Sequence, residues 1–235
     1  FDPSQAEECR REVEALHARG IAAMVPLNCT IWETAWYMRS MEEMMVGMMT
    51  DDPLTERHFE RITVLAEQRA AAFASCGADL LHLGDDIGMQ QTIMMSHELY
   101  RKHLKPRLAR VVQAAKAAKP DMVITYHSCG YVTPFITDLM EAGVEVLNPV
   151  QPECMDFAEI HAEYGKKLSF WGTVGTQSTM PFGTPDEVKA VVRRNLEIAG
   201  EAGGLLCTPT PLLEPEVPWE NIEAYVEACR EFRLA

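Results

Sequence analysis

A parallel α/β fold is what this sequence predicts, and three observations carry it. Short apolar runs alternate with longer amphipathic stretches in six successive β-then-α units joined by short connections. Gly and Pro punctuate many of the junctions. Side chains suited to chemistry gather where the apolar runs end, the place where α/β enzymes keep their sites. Strand order decides between a doubly wound sheet and a barrel, and periodicity does not supply it. A (β/α)8 barrel needs eight strands and six are counted, so two would have to precede Phe1. No Gly-x-Gly-x-x-Gly follows a strand, which leaves a dinucleotide site without support.

The elements follow in order. Ser4 to Arg19 reads as a helix, with Ser4 as its cap and Gly20 as its stop. Ile21 to Leu27 is a strand leading into Asn28-Cys29-Thr30. Thr30 with Glu33 has the spacing of a capping box for a helix from about Trp32 to Met49. The methionines of that helix read as core packing, with an adaptable docking surface as the alternative. Asp51-Asp52-Pro53 opens a helix to about Ser75, and Asp79 to Leu83 is a strand ending in Gly84-Asp85-Asp86-Ile87-Gly88. His82 sits mid-strand and reads as a core residue. Ser96 caps a helix from His97 to Lys119, and Met122 to His127 is the third strand. A helix over 134–142, a strand over 144–147, a helix over 155–164 and a strand over 168–172 come next. Thr184-Pro185-Asp186-Glu187 starts a helix to Ala199 with cap, first-turn proline and capping-box Glu in order. Gly203-Gly204 opens the run to Cys207, and a last helix spans about Trp219 to Phe232.

Composition bounds the function. The chain has 235 residues, of which 47% are hydrophobic and 24% charged, as expected of one globular domain over residues 1–235. No apolar run approaches the roughly 20 residues that cross a bilayer, and no signal peptide is visible, so no membrane partner and a cytoplasmic location are expected. Seven cysteines without a repeating framework do not suggest a disulfide scaffold. The net charge of −14 argues against nucleic acid.

Residues i and i+2 of a strand share a side, so His127 and Cys129 project together from the end of the third strand. Cys207 ends another run. If the two runs are parallel strands of one sheet, their carboxyl ends share a rim and the three form a Cys2His set open to a fourth ligand, the pattern of a catalytic zinc site. Asp85 and Asp86 sit at a strand end, where they suit a metal, a substrate or a proton and equally suit a turn. Gln151 and Gln177 fall on the same rim, as acceptor-binding groups or as loop packing. A structural zinc, or a non-catalytic binding domain, is the reading that competes with an enzyme.

The segments Gly84-Asp85-Asp86-Ile87-Gly88, His127-Ser128-Cys129-Gly130, Asn148-Pro149-Val150-Gln151, and Gly203-Gly204 with Pro218-Trp219-Glu220-Asn221 resemble the uroporphyrinogen decarboxylase superfamily, from about Gly20 to the carboxyl end. The resemblance implies a (β/α)8 barrel, lacking its amino-terminal portion in this chain. One branch of that superfamily decarboxylates uroporphyrinogen without a metal. The other is zinc-dependent and moves a methyl group from a methylcobalamin carried by a corrinoid protein to a small thiol of the coenzyme M type. Where the decarboxylase branch carries a His after its last Gly-Gly strand, this chain has Pro209-Thr210-Pro211. The methyltransferase branch implies His127, Cys129 and Cys207 as zinc ligands. Asp85 or Asp86 would fill the open position or orient His127. Corrinoid-dependent thiol methylation is therefore the expectation, with the decarboxylase as the alternative.

Overall fold

The structure is a computed structural model describing residues 3–200, 203–210 and 212–232, with side chains from residue 6 onward. It divides into two compact units that interleave along the chain. The first comprises residues 1–87, 94–127 and 134–145, and the second residues 88–93, 128–133 and 146–235.

In the first unit β1 (Met24–Asn28), β2 (Leu80–Gly84) and β3 (Val123–His127) run parallel in chain order. Asn28 pairs with Gly84 and Gly84 with His127, so the three carboxyl ends are level. Helix α1 (Pro3–His17) begins one residue before Ser4, whose side chain lies outside the described residues. The expected single helix over 32–49 is two, α2 (Trp32–Arg39) and α3 (Met41–Met49). The break is Ser40, at φ 130°, whose hydroxyl accepts from the Glu43 N–H and so caps α3. Met44 and Met48 are buried while Met38 and Met49 are exposed, so only one face of that methionine run is core. Helix α4 (Pro53–Ser75) starts as expected, with Asp52 accepting from the N–H groups of Leu54 and Thr55.

After α5 (His97–Leu99), one π-turn over Tyr100–Leu104 precedes α6 (Lys105–Ala118). The wider turn ends two residues before Pro106, which has no N–H to give to a regular helix. Helix α7 (Ile136–Glu141) ends the unit's helices. Its Asp138 is almost fully buried and accepts from Arg101 Nε at 2.9 Å and Lys105 Nζ at 2.7 Å. Burial by itself would raise the Asp138 carboxyl. The hydrogen bonds from Arg101 and Lys105 outweigh it and hold the group below its ordinary value. A depressed folded-state value stabilises the fold above the unfolded pKa, and the gain is lost as pH falls through the folded value. The urea midpoint of Asp138→Asn is therefore expected to lie below that of the parent at pH 6. Acidification to about pH 3, below the ordinary aspartate value, should narrow the gap.

The second unit carries β4 (Val146–Asn148), β5 (Ser169–Trp171) and β6 (Leu205–Leu206), again parallel and in chain order. Helices α8 (Phe157–Tyr164), α9 (Thr179–Phe182), α10 (Pro185–Ala199) and α11 (Trp219–Glu231) complete it, the short α9 being unanticipated. The capping box of α10 is present: Glu187 N–H donates to Thr184 Oγ1, and Thr184 N–H donates to Glu187 Oε2. Val174, Val188, Val192, Val217 and Ala224 form the apolar cluster that includes α10 and α11.

Candidate active site

Asp85 follows β2 directly and is buried. Its carboxylate accepts from the backbone N–H groups of Ile31, at 3.0 and 3.1 Å, and of Glu33, at 2.9 Å. It thus supplies, from a distant part of the chain, the partner that the first turn of α2 needs. The expected Thr30–Glu33 box does not form. Thr30 Oγ1 instead donates to the Leu27 carbonyl and accepts from Gly84 N–H, tying β1 to β2. Burial pushes the Asp85 carboxyl up to about 7, against the pull of the Glu33, Ile31 and Trp32 N–H groups.

Asp86 is half-exposed. Its Oδ1 lies 3.7 Å from His127 Nε2 at the end of β3. Glu33, read from sequence only as a helix cap, reaches the same place: its Oε2 accepts from Asp86 N–H at 3.2 Å. Burial raises the Glu33 carboxyl, with the Asp86 charge adding to it. Behind His127, the His82 ring stands edge-on at 6.1 Å between centroids and is hydrogen-bonded to Thr125 Oγ1. Burial, then the charge of His127, lowers His82 to about 4, so it is neutral near pH 7. Gly84 permits this packing, since a Cβ there would come within 2.7 Å of the His127 Cβ.

The chain enters the second unit after His127, and Cys129 lines a cleft there of about 450 Å³. Gln151 and Gln177 line the same cleft. Gln151 is buried and accepts from Gly130 N–H at 3.0 Å, fixing the residue after Cys129. Gln177 accepts from Gln90 Nε2 at 3.1 Å, and its own N–H donates to Glu153. Gly130, at φ 86°, has no room for a side chain: a Cβ would lie 2.7 Å from the Met89 carbonyl. The three residues that sequence placed on this rim, Cys129, Gln151 and Gln177, are brought together. Phe182, Glu214 and Glu216 also face the cleft and were not anticipated, because no strand end marks them.

Cys207 is the exception. Leu206, the last residue of β6, is exposed, and the next side chain turns the other way, into the apolar cluster with α10 and α11. The Cys207 thiol has Thr173 Oγ1 at 3.8 Å, and burial pushes it up to about 12. It is not among the residues lining the cleft, so the structure does not bring it to the wall that carries Cys129. Asp85, expected as a catalytic group, is likewise engaged with α2. Pro211, part of the expected departure from the decarboxylase pattern, lies outside the described residues. Among the described residues no helix is long and apolar enough to cross a membrane.

The chain is 25% identical over 221 residues to the methylated-thiol–coenzyme M methyltransferase of Methanosarcina mazei, covering 90% of this chain and 54% of that protein. It is 26% identical over 160 residues to the uroporphyrinogen decarboxylase of Pelodictyon phaeoclathratiforme, covering 66% and 42%. The chain thus spans about half the length of these relatives. A solved structure, a methyltransferase from Methanosarcina mazei, matches 95% of this chain and 63% of its own at a TM-score of 0.75 and 22% identity, a likeness of fold. The fold class is α/β, with the parallel strand–helix order of a (β/α)8 barrel. The model of the family described as uroporphyrinogen decarboxylase (URO-D) matches residues 23–232, from the start of β1 through α11, and the chain belongs to that family.

Proposed function

We propose that the protein transfers a methyl group from a methylcorrinoid, carried by a partner protein, to a small thiol acceptor, with zinc held at His127 and Cys129. The observation that carries this reading is the histidine–carboxylate pair at the end of β3, followed two residues on by a cysteine in a cleft wall. The similarity to a protein named as a methylated-thiol methyltransferase supports it. The donor chemistry fits: an imidazole, a thiol and the carboxylate of Asp86 are all ordinary zinc ligands. Asp86 takes the place expected of Cys207, which stays in the apolar cluster.

Zinc bound there would stabilise an acceptor thiolate near neutral pH. The residues of the chain do the rest. Glu33 holds the Asp86 backbone, and Gln151 fixes the peptide after Cys129. Gln151 and Gln177 offer amide groups to the acceptor within the cleft. The reaction forms one bond between acceptor sulfur and methyl carbon and breaks the carbon–cobalt bond. The electron pair of that bond stays on cobalt as Co(I), and the thiol proton leaves to solvent.

The test follows cobalamin absorbance, because methyl-Co(III) and Co(I) differ in spectrum. The purified protein, with zinc added or chelated, is given methylcobalamin or its methylated corrinoid protein and a small thiol, with uroporphyrinogen run alongside. Zinc-dependent Co(I) formation with appearance of a thioether is expected. Release of CO2 from uroporphyrinogen without zinc would replace this reading with the decarboxylase.

A further inference from the structure

The second unit's cleft carries information about what enters it beyond the reaction itself. Two carboxylates, Glu214 and Glu216, stand on its wall, and Phe182, Leu212 and Met89 leave large exposed apolar surfaces there. Its other polar side chains include the neutral amides of Gln90, Gln151 and Gln177. Among the described residues of the lining there is no lysine, arginine or histidine. The net charge of the chain, −14, adds a field of the same sign.

We propose that the acceptor bound in this cleft carries a positively charged tail, and that the natural acceptor class is an aminothiol rather than a sulfonate or carboxylate thiol. This rests on the thiol-methylation reading for the reacting end of the molecule. It departs from the anionic tail that the name of the coenzyme M relative suggests. The physical ground is the pair of glutamates. An ammonium within several ångströms of two carboxylates is attracted, and a sulfonate in the same place is repelled. An ammonium can also lie over the face of Phe182, where the ring quadrupole favours a cation and disfavours an anion. The two effects act in the same direction. They should be strongest at low salt, because these glutamates are open to solvent and ions screen them.

Three two-carbon thiols of matched size separate tail charge from shape: 2-aminoethanethiol, 2-mercaptoethanol and 2-mercaptoethanesulfonate. Their S-methyl thioethers are the binding probes, since they have no thiol to ionise and need no corrinoid. Calorimetry with the purified protein at low salt should find the amine thioether bound at least about tenfold more tightly than the sulfonate, with the alcohol between. In Glu214→Gln/Glu216→Gln the difference should shrink to about twofold, because the charges are gone and the shapes remain. Equal or tighter binding of the sulfonate overturns the proposal, and so does a preference unchanged in the double variant. Methyl transfer to the three thiols is then measured separately. If none is methylated while the binding order holds, the reaction assignment fails and the charge preference stands. If all are methylated and the sulfonate binds best, the reaction stands and the charge preference fails.

Discussion

Cys129→Ala is expected to lose zinc and most of the methyl-transfer rate, whereas Cys207→Ala keeps both. The contrast follows from where the two thiols lie. Cys129 lines the cleft of the second unit, and the backbone around it is fixed without its side chain. Ser128 Oγ donates to the Cys129 carbonyl, and Gly130 N–H is held by Gln151. Removing one sulfur there takes one soft ligand out of the donor set. Without the metal an acceptor thiol of ordinary pKa is only about 3% ionised at pH 7, so a loss of about 30-fold or more follows from protonation alone. Cys207 lies among Val188, Val192 and Ala228, and its loss leaves a small apolar cavity. That should lower stability by about 1 kcal/mol with metal content unchanged. Elemental analysis of both variants, beside the rate, decides the donor set. Zinc lost in Cys207→Ala and kept in Cys129→Ala would reverse the assignment.

Sequence patterns located each of the six strands to within a few residues, because each is an apolar run, and Asn28, Gly84, Asn148 and Gly172 mark the ends of four of them. The i, i+2 rule placed His127 and Cys129 at one strand end for the same local reason. It could not place Cys207. Side chains alternate between the two faces of a strand, so an error of one residue reverses the side, and β6 is only two residues long. The helix expected over 32–49 failed at Ser40, whose positive φ has no signature in the apolar spacing around it.

Long-range contacts account for the rest of the site. Asp85 and Ile31 are 54 residues apart, so a carboxylate capping a distant helix is invisible to spacing rules that look a few residues ahead. Glu33 appears in those rules only as a partner for Thr30, and tertiary structure gives it Asp86 instead. The cleft likewise draws Gln90, Cys129, Gln151, Gln177, Phe182 and Glu214 from separate connections. Sequence flagged three of these six because they follow strands. The others come from a loop after β2, a short helix and the segment before α11, where no periodicity points inward.

Asp85→Ala is expected to produce the largest loss of stability of any substitution near the site, about 2 to 5 kcal/mol, because two buried backbone N–H groups lose their acceptor at roughly 1 to 3 kcal/mol each. Both carboxylate oxygens are engaged, Oδ1 with Ile31 and Glu33 and Oδ2 with Ile31, and the side chain is shut off from water. Alanine leaves those N–H groups at the start of α2 without an acceptor and opens a polar hole that no apolar neighbour is shaped to fill. Asp85→Asn keeps one oxygen in place for the two Oδ1 contacts and turns an NH2 toward the third. It should therefore lose less, about 1 to 2 kcal/mol, comparable to one unsatisfied buried hydrogen bond. If Asp85 served only the chemistry, both variants would melt with the parent and fail only in turnover. Denaturant midpoints for the parent, Asp85→Asn and Asp85→Ala, falling in that order, would establish it as the group that anchors α2. Because Glu33 lies in the first turn of that helix and holds the Asp86 N–H, the loosened helix should also weaken the hold on Asp86. Zinc affinity is then expected to fall in the same order as stability, by about 10-fold or more in Asp85→Ala, as when a supporting partner of a ligand is removed.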